Sequence, residues 1–253
     1  MKSPRSFTVD AIVLRHRDWG EADRLLSLYT KQRGKISAVA KGARKVRSRK
    51  AGHLQPFTHI SLQLARAKGP YIITQVETIN AYLPLRNDLT LTGNAAYLLE
   101  LLDRFTYDEE EINQRIFSLL ENSLSRLTRG DDIWLVIRYY EMRLLDYLGF
   151  RPQLFHCANC QKKIKAENQF FSAEQGGVLC PQCGIGQTSA RPVSINEIKY
   201  LRHFQRSSYK DATRANPDPK TRADVEMLMQ FYLTYVLERG LNSPQFLKEV
   251  ERK

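Results

Sequence analysis

Phe7-Thr-Val-Asp-Ala-Ile-Val-Leu-Arg15, Arg24-Leu-Leu-Ser-Leu-Tyr-Thr30, Gly34-Lys-Ile-Ser-Ala-Val-Ala-Lys-Gly-Ala43, His59-Ile-Ser-Leu-Gln-Leu-Ala-Arg-Ala67 and Tyr71-Ile-Ile-Thr-Gln-Val-Glu-Thr-Ile79 are five apolar runs in the first eighty residues. The first is apolar on both phases and rich in β-branched residues. Lys31-Gln-Arg-Gly34 separates the second run from the third, and Lys68-Gly69-Pro70 the fourth from the fifth. Short strand-like runs joined by glycine-bearing turns predict a small antiparallel barrel. In this register the loop after the first strand holds Trp19, and the turn between the fourth and fifth holds Arg66 and Lys68.

Charge is concentrated on the same region. The chain of 253 residues has 39 Lys and Arg against 27 Asp and Glu, a net +12. Residues 1–82 carry +11 of this, and no acid occurs between Arg24 and Val76. A solvated face usually mixes both signs, and repulsion among a dozen unpartnered cations costs stability, so a polyanion is the expected partner. The five-stranded barrel that binds oligonucleotides through the face of its second and third strands and the adjoining loops is the OB-fold, and this is the fold expected for residues 1–82.

Beyond Tyr82 the apolar period becomes helical. Leu91, Ala95, Leu98, Leu99, Leu102 and Phe105 form one stripe, and Ile112, Ile116, Leu119, Leu120, Leu124 and Leu127 a second, with Asp108 as candidate N-cap. A third helix is expected to start at Asp131 and Asp132 and stop at Gly149. Ser194 with Glu197 forms a possible capping box, and Asp218-Pro219 opens a final helix that Gly240 can end. The class is α+β. The expected organisation is a nucleic-acid-binding barrel at 1–82, a helical domain in two parts (83–150 and 191–253) and a small metal-binding insertion at 151–190.

All four cysteines lie in that insertion: Cys157-Ala-Asn-Cys160, nineteen residues, then Cys180-Pro-Gln-Cys183. Two C-x2-C pairs at this separation match a structural zinc site, in which four thiolates close the tetrahedron and leave no open position for catalysis. Gln169-Phe-Phe171 and Val178-Leu179 flank Gln175-Gly-Gly177, so a short hairpin is expected to bring the second pair to the first. Of the competing readings, a disulfide pairing is disfavoured by the reducing compartment expected for this chain, and a redox C-x-x-C by the presence of two pairs at a spacing that needs no separate thiol chemistry. His156 beside the first pair could exchange for a neighbour as ligand, but next to a complete set of four it reads more simply as an ordinary polar residue.

The basic centrepiece is Lys41-Gly-Ala-Arg44-Lys45-Val-Arg47-Ser-Arg49-Lys50-Ala-Gly52-His53-Leu-Gln-Pro-Phe57. No core holds that many charges, so it is expected as a flexible exposed loop whose cations contact phosphates without reading bases. Lys35, Arg66 and Lys68 extend the same set. Trp19 either stacks on unpaired bases or packs in the core, and Tyr29, Phe57 and Tyr71 fit the core more simply. The G-x-x-x-x-G-K-[ST], G-x-S-x-G, H-E-x-x-H and G-x-G-x-x-G templates are absent, and the acids at 108–111 and 131–132 read more simply as helix-start charge, so no catalytic site is expected. With a mean hydropathy of -0.45, short apolar runs and no A-x-A-like cleavage site near the start, neither a spanning helix nor a secretory signal is expected, and the placement is cytoplasmic.

The KGARKVRSRKAGHLQPF stretch, the helical YYEMRLLDYLGFRPQL at 139–154 and the four-cysteine insertion together resemble the RecO family of bacterial recombination mediators, over essentially the whole length. The resemblance implies a non-enzymatic, nucleoid-associated protein that binds single- and double-stranded DNA and anneals complementary strands. It also implies association with RecR and help for RecA in replacing the single-stranded-DNA-binding protein. Lys41, Arg44, Lys45, Arg47, Arg49 and Lys50 would be DNA contacts. Some family members lack the cysteines, so the one structural zinc expected per chain rests on this sequence's own four residues. An RNA-binding or ribosome-associated protein and a hydrolase with a nonlocal active site are the alternatives.

Overall fold

In the computed structural model of the chain, which describes residues 6–108 and 113–238, the five apolar runs are strands: β1 (Ser6–Trp19), β2 (Asp23–Thr30), β3 (Gly34–Ala40), β4 (His59–Ala65) and β5 (Tyr71–Asn80). They close into a barrel in the order β1-β2-β3-β5-β4, with β4 returning to β1. Four pairings are antiparallel, but β3 and β5 run parallel through Ala38↔Tyr71 and Val39↔Ile72. The all-antiparallel expectation fails for a topological reason: strand directions cannot alternate around a ring with an odd number of members.

Successive side chains of a strand point to opposite faces, so Val9, Ala11, Val13, Leu26, Leu28, Ile36, Ile60 and Leu62 share one closed interior. The other phase of β1 is buried as well, through Ile12 and Leu14. This accounts for the apolar residues on both phases of that run. An irregularity between Val13 and Arg15 bends β1, and beyond it the strand continues beside β2 as far as Trp19↔Asp23. Trp19 is therefore the last residue of a strand rather than part of a loop. Cross-strand pairing carries it further than its apolar run suggests, and only residues 20–22 make the turn.

The described residues fall into two compact units, one ending at Asp131 and the other beginning at Asp132. In the first, the barrel is followed by α1 (Pro84–Asn87), α2 (Leu89–Phe105) and α3 (Gln114–Arg129). Asp88 caps α2 by accepting from the Leu91 N–H at 2.9 Å. The cap of α3 is Asn113, which accepts from the Arg115 N–H, and not Asp108. Asp108 instead accepts a 2.6 Å hydrogen bond from the Ser37 hydroxyl of β3. Ile112 and the acids at 109–111 lie outside the described residues.

The second unit contains α4 (Ile133–Tyr147), β6 (Gln169–Ser172), β7 (Gly177–Leu179), α5 (Pro181–Gly184), β8 (Ala190–Val193), α6 (Ile195–Arg206), α7 (Tyr209–Ala212) and α8 (Pro219–Val236). Its helix starts follow the expected residues. Asp132 caps α4, Ser194 and Glu197 form the capping box of α6, and Asp218 caps α8. Gly149 follows α4 in the left-handed region, with φ 83°, where a side chain would be strained. The hairpin of β6 and β7 forms as expected, and β8 adds an unforeseen third strand to β6. Gly240 lies outside the described residues. No helix of the described residues is long and apolar enough to cross a membrane.

In the first unit, Asp103 of α2 ties helix to barrel. Its carboxylate lies 2.9 Å from the Lys35 ammonium of β3 and 2.6 Å from the Arg15 guanidinium of β1, and it accepts from the Ser27 hydroxyl of β2 at 2.8 Å. Burial pushes its pKa up, but hydrogen bonds from Lys35 and Ser27 and the charges of Lys35 and Arg15 outweigh this and hold the carboxyl below its ordinary 3.8. A folded pKa below the unfolded one stabilises the protein above the unfolded value, and that contribution is lost as pH falls through the folded value. Asp103→Asn, which leaves Lys35 without its counter-charge, is expected to cost about 2–4 kcal/mol at pH 7. In urea unfolding the gap between wild type and variant should narrow as pH falls through the folded pKa of Asp103, which lies below its ordinary 3.8; a gap independent of pH across the acid range would reject the assignment.

Candidate nucleic-acid interface and metal centre

Residues 41–58, between β3 and β4, form the basic loop, and it is a loop as the charge count demands. It is not a free arm. Ala43 and Leu54 turn inward and join the barrel core. The Gly42 N–H donates to Asp23, the Arg44 N–H to the Ala22 carbonyl, and the Phe57 N–H to the Val13 carbonyl. The Lys50 ammonium donates to the Ile73 carbonyl at 2.8 Å, and His53 Nδ1 lies 2.7 Å from the Thr78 hydroxyl. The base of the loop is thereby sewn to β1, β2 and β5.

Its crest is different. Lys41, Lys45, Arg47 and Arg49 are exposed, and none has an ion pair or side-chain hydrogen bond among the described residues. Between Lys45 and Arg47 stands Val46, with a fractional exposure of 104%, an apolar side chain with nothing to cover it. Arg44 is also exposed but is engaged: its guanidinium donates to the Gly20 and Glu21 carbonyls and pairs with Asp18 at 3.1 Å, clamping the β1–β2 turn. Lys50 is half-buried and spends one donor on the barrel.

Lys35 departs from the expectation of a phosphate contact. Besides Asp103 Oδ1 its ammonium reaches the Asp103 and Thr106 carbonyls, so all three donors are engaged and the side chain is nearly buried. Its position on β3 opposite the end of α2 makes it a tie between helix and barrel, which composition alone does not reveal. Arg66 and Lys68 are exposed in the β4–β5 connection. Trp19 is 44% exposed at the end of β1, with the Arg17 guanidinium 5.4 Å from its ring centre. Arg17 and Trp19 are two apart on one strand and share a face; Arg17 and Val46 are surface features that residue-type counting missed.

In the second unit the four cysteines converge. The Sγ atoms of Cys157, Cys160, Cys180 and Cys183 all lie within 4.8 Å of one another, and Cys160 and Cys180 are 3.8 Å apart. Sulfurs at the corners of a tetrahedron around zinc with bonds of about 2.3 Å stand ~3.8 Å apart, so the cluster has the dimensions of that site. All four are free thiols, which removes the disulfide reading for this structure. His156 is exposed, pairs through its backbone with Lys163 and does not join the cluster.

Two tight turns build the centre. The Gln161 N–H returns to the Cys157 carbonyl, and the Cys183 and Gly184 N–H groups to the Cys180 carbonyl. Gly184 is compulsory, because a Cβ there would come within 2.4 Å of the Phe170 ring. Burial raises the pKa of Cys157, but backbone N–H groups of Cys160, Cys180 and Asn159 prevail and bring it to about 6. Cys183 is pushed up to about 12, chiefly by its hydrogen bond with Cys180 and then by desolvation. One thiol thus ionises readily and another resists, as the hydrogen bonds around each sulfur dictate. A zinc ion held by these four residues would supply cross-linking and no catalysis, since four sulfurs fill its coordination.

Fold and centre define a basic-barrel protein with a helical second unit built on a paired cysteine knuckle. Family models place it further: the model for the N-terminal part of recombination protein O matches residues 1–82, and that for its C-terminal part matches residues 86–245. A DNA repair protein RecO from Roseiflexus sp. (strain RS-1) is 41% identical over 248 residues, covering 98% of this chain and 87% of that protein. Another from Dehalococcoides mccartyi (strain CBDB1) is 38% identical over 94% of each chain. The chain belongs to the RecO family of DNA repair proteins.

Protein prepared with zinc under reducing conditions should carry about one equivalent per chain by metal analysis. Chelation, or Cys180→Ser, should lower the melting temperature of the second unit by about 10 °C, since metal binding contributes folding free energy. DNA binding at the basic loop, which belongs to the other unit, should hardly move. An unchanged melting profile after complete metal removal would deny the centre its structural role.

Proposed function

We propose that this chain is a non-enzymatic recombination mediator whose barrel is an OB-fold and whose basic loop captures DNA by its phosphates. The observation that carries the reading is the crest of that loop: Lys41, Lys45, Arg47 and Arg49 stand exposed without counter-charges on a base pinned to the barrel. Cations held in place before binding lose little conformational freedom when phosphates arrive. Arg66, Lys68 and Trp19 extend the proposed interface, Trp19 as a stacking platform for an unpaired base. Arg44 and Lys50 support the loop and offer their remaining donors. Lys35 is left out of the interface.

In this reading, residues 1–82 are the nucleic-acid-binding domain, 83–150 and 191–253 the helical domain, and 151–190 the insertion that binds one structural zinc. The cationic surface neutralises the repulsion between two strands, so complementary strands anneal with no bond chemistry and no nucleotide hydrolysis. Single- and double-stranded DNA are both ligands. RecR binds the protein directly, strands coated with single-stranded-DNA-binding protein are the working substrate, and RecA is loaded as the outcome. The setting is the cytoplasm, at the nucleoid. Family membership and the relatives' name as DNA repair proteins support this reading.

Replacing Lys45, Arg47 and Arg49 together by Ala should weaken binding to single-stranded DNA by tenfold or more at moderate salt and reduce the log-log salt slope by about 2, at roughly 0.7 per lost phosphate contact. Annealing of strands coated with the single-strand binding protein should fall in parallel, with little change in melting temperature. Arg44→Ala should behave differently and cost about 1 kcal/mol or more of stability, through its lost bonds to the β1–β2 turn. A folded triple variant with wild-type slope and annealing rate would overturn the assignment.

A further inference from the structure

The residues after position 82 sum to almost no charge, yet the second unit gathers cations in one place. A groove of about 900 Å³ lies between the 155–166 segment and α6, and Lys163, Lys165, Lys199, Arg202, Arg206 and Arg214 line it with no carboxylate among its lining residues. Lys199, Arg202 and Arg206 fall at positions i, i+3 and i+7 of α6, hence on one helical face. At a rise of 1.5 Å per residue they make a line of charge about 10 Å long.

Two of the cations, Arg202 and Arg206, are also held in place. Arg202 donates from Nε and Nη2 to the Leu154 carbonyl, at 2.8 and 2.6 Å, and keeps its other N–H groups for a ligand. The Arg206 guanidinium stacks 3.7 Å above the centre of the Phe155 ring, and no carboxylate or carbonyl holds it among the described residues. Arg214 alone has an acidic partner, Asp211 at 3.5 Å, and both are largely exposed. Burial, and then the neighbouring charge of Arg206, depress the pKa of Arg202, as expected where like charges meet without compensation. Half-buried Tyr200 adds an aromatic surface to the wall.

The geometry points to this groove as a second site for single-stranded nucleic acid, separate from the basic loop and binding the phosphate backbone. A row of fixed cations matches successive phosphates better than one carboxylate, and the stacked guanidinium presents its N–H edge in the fork that a phosphate accepts. The site rests on the proposed function in one respect. A chain that anneals strands gains from holding two of them, and this groove supplies a second holding place.

The experiment counts oligonucleotides. Titration of the full chain with oligo(dT) of about eight nucleotides, within the site size of one such surface, should saturate near two per chain at low salt. Lys45/Arg47/Arg49→Ala and Lys165/Lys199/Arg206→Ala should each reduce this to one. Lys163/Lys165/Lys199→Glu changes only exposed side chains, so it decides the matter should loss of the Arg206 stacking disturb folding, and it too should bind one. A folded charge-reversal variant that still binds two overturns the groove and leaves the loop reading intact. A loop variant that binds two, beside a groove variant that binds one, supports the groove and overturns the loop. Competition by a polyglutamate peptide as effective as an oligonucleotide of equal charge overturns the assignment to nucleic acid.

Discussion

A closed barrel of five strands has an interior with no room for charge, and the rest of the first unit follows from that exclusion. Small and branched apolar residues such as Ala11, Ala38, Ala40, Ile36 and Leu62 fill it, and Ala43 and Leu54 reach in from the basic loop. The dozen cations between Arg24 and Val76 must then lie on the outer surface or in the connections. Where a helix covers that surface, a cation is retained only with a counter-charge, as Lys35 is with Asp103. In the connection after β3, Lys41, Lys45, Arg47 and Arg49 remain exposed and available, while Arg44 pairs with Asp18 and Lys50 donates to the Ile73 carbonyl.

The basic loop combines two requirements that usually conflict. Its inward residues anchor it, and its backbone and the side chains of Arg44 and Lys50 bind it to the neighbouring strands. The residues between those anchors are then free to carry charge into solvent without the entropy of an unstructured arm. The same division recurs in the second unit, where Arg202 is anchored to a carbonyl and Arg206 to a ring while both keep polar edges outward. In each case an exposed cation rests on a fixed support, which is how a surface binds phosphates firmly without reading sequence.

The cysteine segment solves a different problem. Residues 151–190 supply few buried apolar side chains, chiefly Leu154, Ile164, Phe171, Val178 and Leu179, and a segment of this size is at the limit of what burial can hold. Two turns that aim backbone N–H groups at sulfur, and a glycine against which Phe170 packs directly, place four thiols at metal-binding separation. A metal ion held by these thiols would supply a cross-link in place of the missing core.

Local features were legible in the residues themselves. Short apolar runs separated by turn residues marked the five strands, Asp132, Ser194 and Asp218 marked helix starts, and the C-x2-C pairs marked the thiol cluster, because each depends on neighbours a few positions away. The family resemblance was also present in the sequence, carried by the KGARKVRSRKAGHLQPF stretch. Tertiary structure alone decided the parallel pairing of β3 with β5, the removal of Lys35 from the charged surface, the bonding of Arg44 to the β1–β2 turn and the groove beside α6. Each of these depends on contacts between segments distant in sequence. Composition counts a charge wherever it falls, and only the fold determines whether a carboxylate, a carbonyl or solvent meets it.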